Sequence, residues 1–500
     1  MSWRELLPPW LVIAAGLTGI VLLCVSTKDV PITPLRTKYG IVLDAGSSHT
    51  ILFIYQWTTT KGNKTGVIRD CSSCLVQGVG ISNYSDFPQK VEKSLESCLN
   101  WAQKEIPADQ HSQTPLYFGA SASMRQLNLT HPTLPDGVLA ALTVALKSSP
   151  FDFQRAQILS SPEKEAFNWV AANYVLGNFF KYDWRGQLVP SGKGTAGVLS
   201  MGGTSAQLTA GVKEENQAPK EGARLQLYGQ THSVYTRRCP CHGTDQLRSS
   251  LLSTLIQEQR SAKTMSNPCW PLSYSREVQW HSVHEGPCAV SNDTSDILGP
   301  EVFKITGSSN PSACMGLVQR LLNTSSSCSF FKHPLSSVFK PFQTRFLVMS
   351  EAMDFMRETV RSPDLGQAVN RLCGMSVKEL VKESQTSLDT LADYCLVSVF
   401  IFHLSTKGYM FDLDRSVWTA FQEKMGDPSS GWTLGYLLNL TNTVPQDSPT
   451  FLKGIEPGVW SLLLVLFVVL LTGSFMRISY RVMVKENSFS NRNSSVFDDD

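Results

Sequence analysis

The sequence has few charged side chains and almost no excess of either sign. Charged residues make up 17% of the 500 residues, against about 25% in an average globular domain, and the formal net charge is +2. So small an excess excludes a protein that holds nucleic acid mainly through its phosphates. The hydrophobic fraction of 42% excludes a disordered chain, and the length predicts two or three domains. The shortage of charge indicates that part of the chain lies in lipid.

Two apolar segments account for this shortage. Residues 6–25 and 459–476 are each close to the roughly 20 residues that cross a ~30 Å hydrocarbon core. A cleaved signal peptide is the alternative for the first segment. Its apolar stretch exceeds the usual length of about 7–15 residues, which favours a retained transmembrane helix.

Basic residues follow the second segment at Arg477, Arg481 and Lys485. They predict a cytosolic tail at 477–500 by the positive-inside rule, and two spans then put the N-terminal residues 1–5 in the cytosol as well. The whole region between the spans is therefore expected outside the cell.

An extracellular region should carry glycosylation acceptors and disulfides. Sequons between the spans occur at Asn63, Asn83, Asn128, Asn292, Asn323 and Asn439. Eleven of the twelve cysteines also lie there, without the paired spacing of a zinc site. Cys71 and Cys74 have the spacing of a redox motif, but a disulfide framework is the better interpretation outside the cell. Eleven is odd, so at least one thiol is free or pairs between chains.

The region opens with a strand–turn–strand pattern that returns later in the chain. Residues 39–57 and 196–210 each contain an apolar strand, a turn of small polar residues and an outgoing alternating strand. Helical spacing occurs at 86–106, 139–147 and 162–176. The repeat predicts a duplicated unit, with one copy in each of two lobes. Either turn alone is also consistent with a plain hairpin, whereas two matched turns facing one cleft would bind a polyphosphate through backbone N–H groups.

Five segments occur in the order of the apyrase conserved regions. They are 44–50, 119–125, 166–174, 201–207 and 431–439. The chain resembles the ecto-nucleoside triphosphate diphosphohydrolases, the two-span ecto-apyrases of the plasma membrane. The resemblance implies an α/β fold with two actin-like, ribonuclease-H-type lobes, a nucleotide cleft between them and one transmembrane helix at each end. The implied boundaries are lobe 1 at 29–195, lobe 2 at 196–425 and a return segment to lobe 1 at 426–457.

The resemblance also implies the chemistry. Family members remove the terminal phosphate of extracellular nucleoside tri- and diphosphates, with Mg²⁺ or Ca²⁺ on the phosphates and a glutamate that orients the attacking water. Asp44 and the position of Ser200 belong to the metal site. The implied nucleotide- and phosphate-binding residues are Gly46, Ser47, Ser48, His49, Ser121, Arg125, Gly202, Gly203, Thr204, Ser205 and Gln207. The implied disulfides are Cys74–Cys98, Cys241–Cys288, Cys269–Cys314 and Cys373–Cys395, which leave Cys71, Cys239 and Cys328 unassigned.

Three positions depart from the family's pattern. The third motif, Gly-x-x-Glu-Gly-Ala-Phe-Gly-Trp in the family, has Lys164 at the glutamate, with Glu165 beside it as the substitute base. Ser200 replaces a metal-site aspartate, and 349–354 lacks the family's aromatic platform for the base. A protonated lysine cannot accept a proton from water.

These departures predict a nucleotide-binding membrane glycoprotein with weak or lost hydrolysis. The alternative is a fully active ecto-apyrase that converts nucleoside tri- and diphosphates to monophosphates. A sugar-kinase-like or actin-like ATPase would share the fold, but such proteins lack the sequons and spans. Extracellular nucleotides are the expected partners, and the spans are the expected site of any homo-oligomer.

Overall fold

The structure is a computed structural model. It describes residues 3–24, 30–31, 37–46, 50–62, 65–77, 84, 87, 90–120, 133–184, 188–203, 205–212, 222–259, 262, 264–284, 302–324, 346–349, 352, 355, 364–383, 386–404, 406, 431–442, 451–452 and 457–494. The chain divides into two compact units. The central unit is Thr37–Gln446, and the terminal unit combines Met1–Arg36 with Asp447–Asp500.

The described secondary structure alternates between strands and helices. The helices are α1 (Trp3–Cys24), α2 (Lys90–Glu105), α3 (Thr133–Lys147), α4 (Ser161–Val175), α5 (Thr244–Glu258), α6 (Trp280–His284), α7 (Pro311–Thr324), α8 (Leu365–Cys373), α9 (Val377–Glu383), α10 (Leu388–Ala392), α11 (Tyr394–His403), α12 (Gly431–Leu440) and α13 (Pro457–Ser494). The strands are β1 (Val30–Pro31), β2 (Thr37–Ala45), β3 (Thr50–Gly62), β4 (Thr65–Leu75), β5 (Pro115–Ala120), β6 (Asp152–Ile158), β7 (Phe180–Tyr182), β8 (Leu188–Pro190), β9 (Gly197–Met201), β10 (Ser205–Val212), β11 (Gly222–Leu227), β12 (Gln230–Pro240), β13 (Thr264–Asn267), β14 (Ser275–Gln279), β15 (Val302–Gly307), β16 (Phe346–Met349) and β17 (Phe451–Leu452).

Two helix starts differ from the sequence prediction. The predicted helix at 86–106 begins only at Lys90, because Pro88 disfavours helical backbone at the preceding Phe87. The helix predicted at 139–147 begins earlier, at Thr133, since Pro135 falls in its first turn, where proline is tolerated.

The first sheet of the central unit has the strand order β4-β3-β2-β5-β6. β2 pairs antiparallel with β3 and parallel with β5. Its side chains alternate between two cores: Ile41 and Leu43 join the core that includes α2 and α3, and Val42 joins the core that includes α4. Burial on both faces explains why β2 is a nearly continuous apolar run.

The second sheet has the order β11-β12-β10-β9-β16 and repeats the arrangement of the first. β9 pairs antiparallel with β10 and parallel with β16, as β2 does with β3 and β5. The predicted pair of strand–turn–strand units in a mixed α/β fold is therefore confirmed. The boundaries predicted for the two lobes remain a prediction.

Helices α4 and α12 connect the cores of the two sheets. Phe167 of α4 lies in one hydrophobic cluster with Tyr55 of the first sheet and Leu208 of the second. α12 crosses α4 at Gly435, where a Cβ atom would lie 1.9 Å from the carbonyl oxygen of Phe167. Only glycine permits the two backbones to approach so closely.

This crossing gives a stability prediction. We expect Gly435→Ala to lower the free energy of unfolding by about 1–3 kcal/mol, because the clashing atom belongs to a backbone that cannot rotate away. Gly316→Ala on α7 is the matched control, since nothing lies within 4 Å of its added Cβ. Alanine is the better helix former there, so the control should gain up to about 1 kcal/mol. Thermal unfolding of the full-length variants measures both, and an unchanged melting temperature for Gly435→Ala would contradict the crossing.

The terminal unit contains the two apolar segments. Among the described helices, α13 contains a stretch, Gly458–Ser488, that is long and apolar enough to cross a membrane, while the apolar part of α1, Pro8–Leu23, is shorter. The helices run antiparallel, because Trp460 near the start of α13 donates a hydrogen bond to Leu23 near the end of α1. Gly16 and Gly19 of α1 face Leu471 and Phe467 of α13. The second span remains a prediction.

The structure contains three of the four disulfides that the resemblance implies. They are Cys74–Cys98, Cys269–Cys314 and Cys373–Cys395. Cys239 and Cys241 are also disulfide-bonded. Cys288, the implied partner of Cys241, lies outside the described residues.

Candidate active site

The first predicted phosphate turn follows β2 and begins at Gly46. Asp44, two residues earlier, pairs with Ile51 on β3 and Gly119 on β5. It is partly buried, and its Oδ1 atom is buried with no hydrogen bond to any residue that the structure describes. A buried carboxylate oxygen usually has a donor or a bound cation as its partner. Ser47, Ser48 and His49 lie outside the described residues.

The second predicted turn is held by the first turn of a helix. The Gly202 N–H donates to the Ser205 carbonyl at 3.1 Å, which closes a tight turn between β9 and β10. The carbonyls of Gly202 and Gly203 accept hydrogen bonds from Thr244 and Asp245 at the start of α5, at 2.9 Å each. These bonds satisfy N–H groups that a helix start leaves unpaired. Thr204 lies outside the described residues.

Four residues form one register row across the second sheet beside this turn. Ser200 on β9 is opposite Gln207 on β10 and Met349 on β16, and Gln207 is opposite Arg238 on β12. Directly opposite residues of the described strands β9, β10 and β12 present their side chains on the same face of the sheet. The row therefore places the divergent position Ser200 between the retained Gln207 and the backbone of Met349, a second divergent position.

Ser205 connects this row by hydrogen bonds. Its Oγ atom accepts from Gln207 Nε2 at 2.5 Å and from Arg238 Nε at 3.3 Å. Ser205 and Gln207 are buried, whereas Arg238 is exposed and forms no ion pair with a described carboxylate. Arg238 was not predicted as a site residue. It lies opposite Gln207 on β12, a strand that contains none of the family's motifs, so only the register of β10 and β12 indicates its place.

The third motif lies on the first turn of α4. The Ser160 side chain accepts from the Glu163 N–H at 3.4 Å, and Ser160 Oγ lies 3.5 Å from Glu163 Oε2. Ser160 is therefore the N-cap of α4, and the Ser-x-x-Glu spacing is that of a capping box, which explains why the helix begins at Ser161. α4 is continuous through Lys164, so the residue at the family's glutamate position is a lysine on regular helix.

One neighbour of Lys164 is already bound to another group. The Glu163 carboxylate has only a 3.5 Å contact with Ser160 Oγ. Glu165 is only 4% exposed and accepts from Asn168 Nδ2 at 2.9 Å. Glu165 and Asn168 occupy two of the three glycine positions of the family's motif and form this hydrogen bond one turn apart. Lys164 is partly exposed and makes no ion pair with a described carboxylate.

The start of α4 lies at the edge of the first sheet that also carries Asp44. The Leu159 N–H donates to the Ala120 carbonyl at 3.1 Å, and Ala120 pairs with Ala45. Trp432 of α12 lies against Gly119, where a Cβ atom would be 2.3 Å from its ring. Asp44 and the first turn of α4 therefore share the carboxyl ends of β2, β5 and β6, the usual ligand-binding edge of a parallel sheet.

An aromatic cluster packs between α4, α12 and the first sheet. Arg155 on β6 donates to the Tyr436 hydroxyl at 3.0 Å, and the ring of Tyr436 meets those of Tyr117 and Phe167 edge to face. Burial is the main reason that the pKa of Tyr117 is raised to about 12, and it raises the pKa of Tyr436 as well. Both phenols therefore stay neutral and act as supports for the helices.

The described residues do not form a metal cage. No group of three His, Cys, Asp or Glu side chains comes together in the part of the chain that the structure describes. Asp44 is one carboxylate, and Ser200 presents a neutral hydroxyl where the family has a second. Ser121 and Arg125 lie outside the described residues, so the predicted set is only partly placed.

Comparisons with known proteins identify the family of the chain. Residues 31–453 match the GDA1/CD39 (nucleoside phosphatase) family. The chain is 41% identical over 481 residues to ectonucleoside triphosphate diphosphohydrolase 2 of Rattus norvegicus, covering 94% of this chain and 96% of that protein. It is 34% identical over 461 residues to ectonucleoside triphosphate diphosphohydrolase 8 of Gallus gallus, covering 89% and 91%.

A solved structure shares the fold. A nucleoside triphosphate hydrolase from Neospora caninum superposes with a TM-score of 0.54 at 13% identity, covering 86% of this chain and 96% of that one. At this identity the likeness concerns the fold alone. The family match spans most of the chain and includes every motif described above, so the chain belongs to the GDA1/CD39 (nucleoside phosphatase) family.

Proposed function

We propose that this protein binds extracellular nucleoside tri- and diphosphates in a site that hydrolyses them weakly or not at all. One observation carries the proposal: a lysine occupies the general-base position on an unbroken helix, and the buried Glu165 beside it has another partner. Phosphoryl transfer depends on positioning, on neutralising charge and on a group that orients the attacking water. Lys164 cannot fill the last role while it is protonated.

Glu165 is a poor substitute for the missing base. Its carboxylate is buried and accepts a hydrogen bond from Asn168. On a helix, adjacent residues differ in direction by about 100°, so Glu165 cannot present a carboxylate where Lys164 points without a shift of the backbone. Glu163 faces the same limit and is also part of the helix cap.

The divalent cation that the resemblance implies, Mg²⁺ or Ca²⁺, does not fit these residues as a resident group. Hard cations take oxygen ligands, and carboxylates provide most of the binding energy. Asp44 supplies one buried carboxylate oxygen, Ser200 supplies a neutral hydroxyl, and the general-base position carries a lysine in place of a glutamate. A cation would have to enter with the phosphates.

The membrane placement is part of the same proposal. The antiparallel contact between α1 and α13 is consistent with two spans and with both chain ends in the cytosol. The central unit, with its disulfides and sequons, would then be an extracellular glycoprotein. Asn439, the sequon residue on α12, is followed by a buried Thr441 whose Oγ accepts from the Gly66 N–H. Any homo-oligomer would form through the spans.

The test is to measure binding and turnover on the same preparation. Purified full-length protein is assayed for phosphate release from ATP, ADP and UTP with Mg²⁺ or Ca²⁺, beside the rat ectonucleoside triphosphate diphosphohydrolase 2. We expect saturable nucleotide binding and a rate about 10²–10⁴-fold below that of the rat protein, the usual cost of losing a general base. An equal rate would establish the alternative, a fully active ecto-apyrase. Absence of nucleotide binding would refute the proposal.

A further inference from the structure

The exchange of charge in this site has a consequence for what the site binds. We infer that the site binds the polyphosphate chain of a nucleotide without a divalent cation, using Lys164 and Arg238 in place of the metal. The inference rests on the proposed function, because it concerns the same site. In the family, a divalent cation neutralises the phosphates; here the two side-chain cations would do so.

The charge balance is the first argument. Relative to the family's motif, Lys164 for glutamate adds two positive units and Ser200 for aspartate adds one, a change of three units within one site. A polyphosphate site with two fewer negative charges and one more positive charge has lost much of the repulsion that a divalent cation otherwise cancels. Asp44 is the one carboxylate of the family's set that remains.

Lys164 is available to a ligand. It is partly exposed, and no described carboxylate lies within ion-pair distance of it. It also occupies the first turn of α4, where the helix dipole disfavours a cation. Its position therefore gives the helix no electrostatic benefit. A bound phosphate would provide the opposite charge that the ammonium group lacks.

Arg238 provides the second cation. Its Nε atom donates to Ser205 Oγ, which directs the guanidinium from its place opposite Gln207 toward the turn at Gly202 and Gly203. A guanidinium has five N–H donors in a planar fork, so one bond to Ser205 leaves most of them for phosphate oxygens. Ser205 and Gln207 are the buried residues that hold it.

The lengths of the elements support placing both cations at one level. Asn173 on α4 exchanges hydrogen bonds with Ala196, the residue before β9, at 2.7 and 3.0 Å. From Asn173 back to Lys164 the helix rises about 13.5 Å, and from Ala196 to Ser200 the strand rises about 13 Å. The match is consistent with the Lys164 end of α4 at the level of the row that contains Arg238. Nine residues are two and a half turns of helix, so the Lys164 side chain leaves α4 on the face opposite to that of Asn173.

The experiment compares binding with and without divalent cations. Full-length protein is titrated with ATP, inorganic tripolyphosphate and AMP by calorimetry, in EDTA and separately in Mg²⁺. We expect ATP and tripolyphosphate to bind in EDTA with dissociation constants within about threefold of those in Mg²⁺, and AMP to bind much more weakly, because charge-assisted bonds to the chain dominate. Lys164→Glu should weaken tripolyphosphate binding in EDTA by about 10–100-fold and restore a requirement for Mg²⁺.

Two further variants make the result specific. Arg238→Gln should weaken binding in EDTA about tenfold or more. Lys147→Glu has the same charge change as Lys164→Glu, but at the exposed C-terminal end of α3, and should bind like the unmodified protein. Thermal unfolding of each variant checks that the fold is intact.

Each other outcome overturns the inference in a distinguishable way. Binding that appears only with Mg²⁺ would refute the metal-free site and leave the proposed function standing. No binding in either condition would refute both. Binding in EDTA that is unaffected by Lys164→Glu and Arg238→Gln, or that is equally strong for AMP, would show that these two cations do not hold the phosphates.

Discussion

The Lys164→Glu, Ser200→Asp double variant is expected to release phosphate from ATP about 10²–10⁴-fold faster than the unmodified chain in Mg²⁺ or Ca²⁺. Lys164 lies on regular helix three residues after the start at Ser161, so a glutamate at this position would leave the helix in the same direction as the lysine. An aspartate at Ser200 would stand beside Gln207 in the row across the second sheet. The two changes return a proton acceptor and a carboxylate for the cation, and groups that act as one unit are strongly non-additive.

The single variants and a surface control make this result interpretable. Each single change should recover much less than the pair, and Lys147→Glu should recover nothing. Asn168 and Glu165 remain hydrogen-bonded to each other in the double variant. If the double variant releases phosphate more slowly than expected, adding Glu165→Gly and Asn168→Gly tests whether this pair is the cause. If the double variant binds nucleotide and still releases no phosphate, the assignment of Lys164 to the base position is wrong.

Removing the Asp393 carboxylate is expected to lower the free energy of unfolding by about 3–5 kcal/mol. Asp393 lies between α10 and α11, is 6% exposed and accepts from Trp270 Nε1 at 2.9 Å and from Arg248 Nη1 at 3.0 Å. Burial raises the pKa of its carboxyl, because desolvation outweighs the opposing effects of Arg248 and Trp270. In Asp393→Ala, a buried indole N–H loses its acceptor, and the Arg248 guanidinium loses one of its two carboxylate acceptors.

The matched control removes the other partner of the same arginine. Asp245 accepts from Arg248 Nη2 at 2.8 Å, but its side chain is half exposed, so Asp245→Ala should cost no more than about 1 kcal/mol. Guanidinium denaturation of the full-length protein, followed by circular dichroism, compares the two. Equal losses for both variants would show that burial of Asp393 does not decide its contribution.

The elements nearest the motifs were the most predictable from sequence. The run around Val42 predicted a buried strand, and the structure has it with two covered faces. The start of α4 was predicted within one residue from the spacing of its apolar residues, and in the structure Ser160 caps it locally. Such signals are contained within a few residues, so no knowledge of the rest of the chain is needed to interpret them.

The partners of the site residues could not be predicted in this way. Arg238 contacts Ser205, 33 residues away along the chain, only because β12 pairs with β10 in one particular register. The hydrogen bond between Asn168 and Glu165 is a different case, because both partners lie on one helix. Each stands where the family has a glycine, and the two side chains meet only because the helix is continuous from one to the other. Trp270 and Asp393 are still more distant, and nothing in their local sequence indicates their contact.

The amino-acid sequence alone determined the family, the strand–turn–strand units, three of the disulfides that the structure contains and the loss of two carboxylates from the motifs. Identity and short-range periodicity are properties of a linear chain, so they can be read directly from it. The tertiary structure decided which glutamate is already bound, which arginine stands beside Ser205 and where two helices cross so closely that only Gly435 fits. Those outcomes depend on register and burial between distant segments, because a hydrogen bond or a steric contact forms only when folding brings both partners to one place.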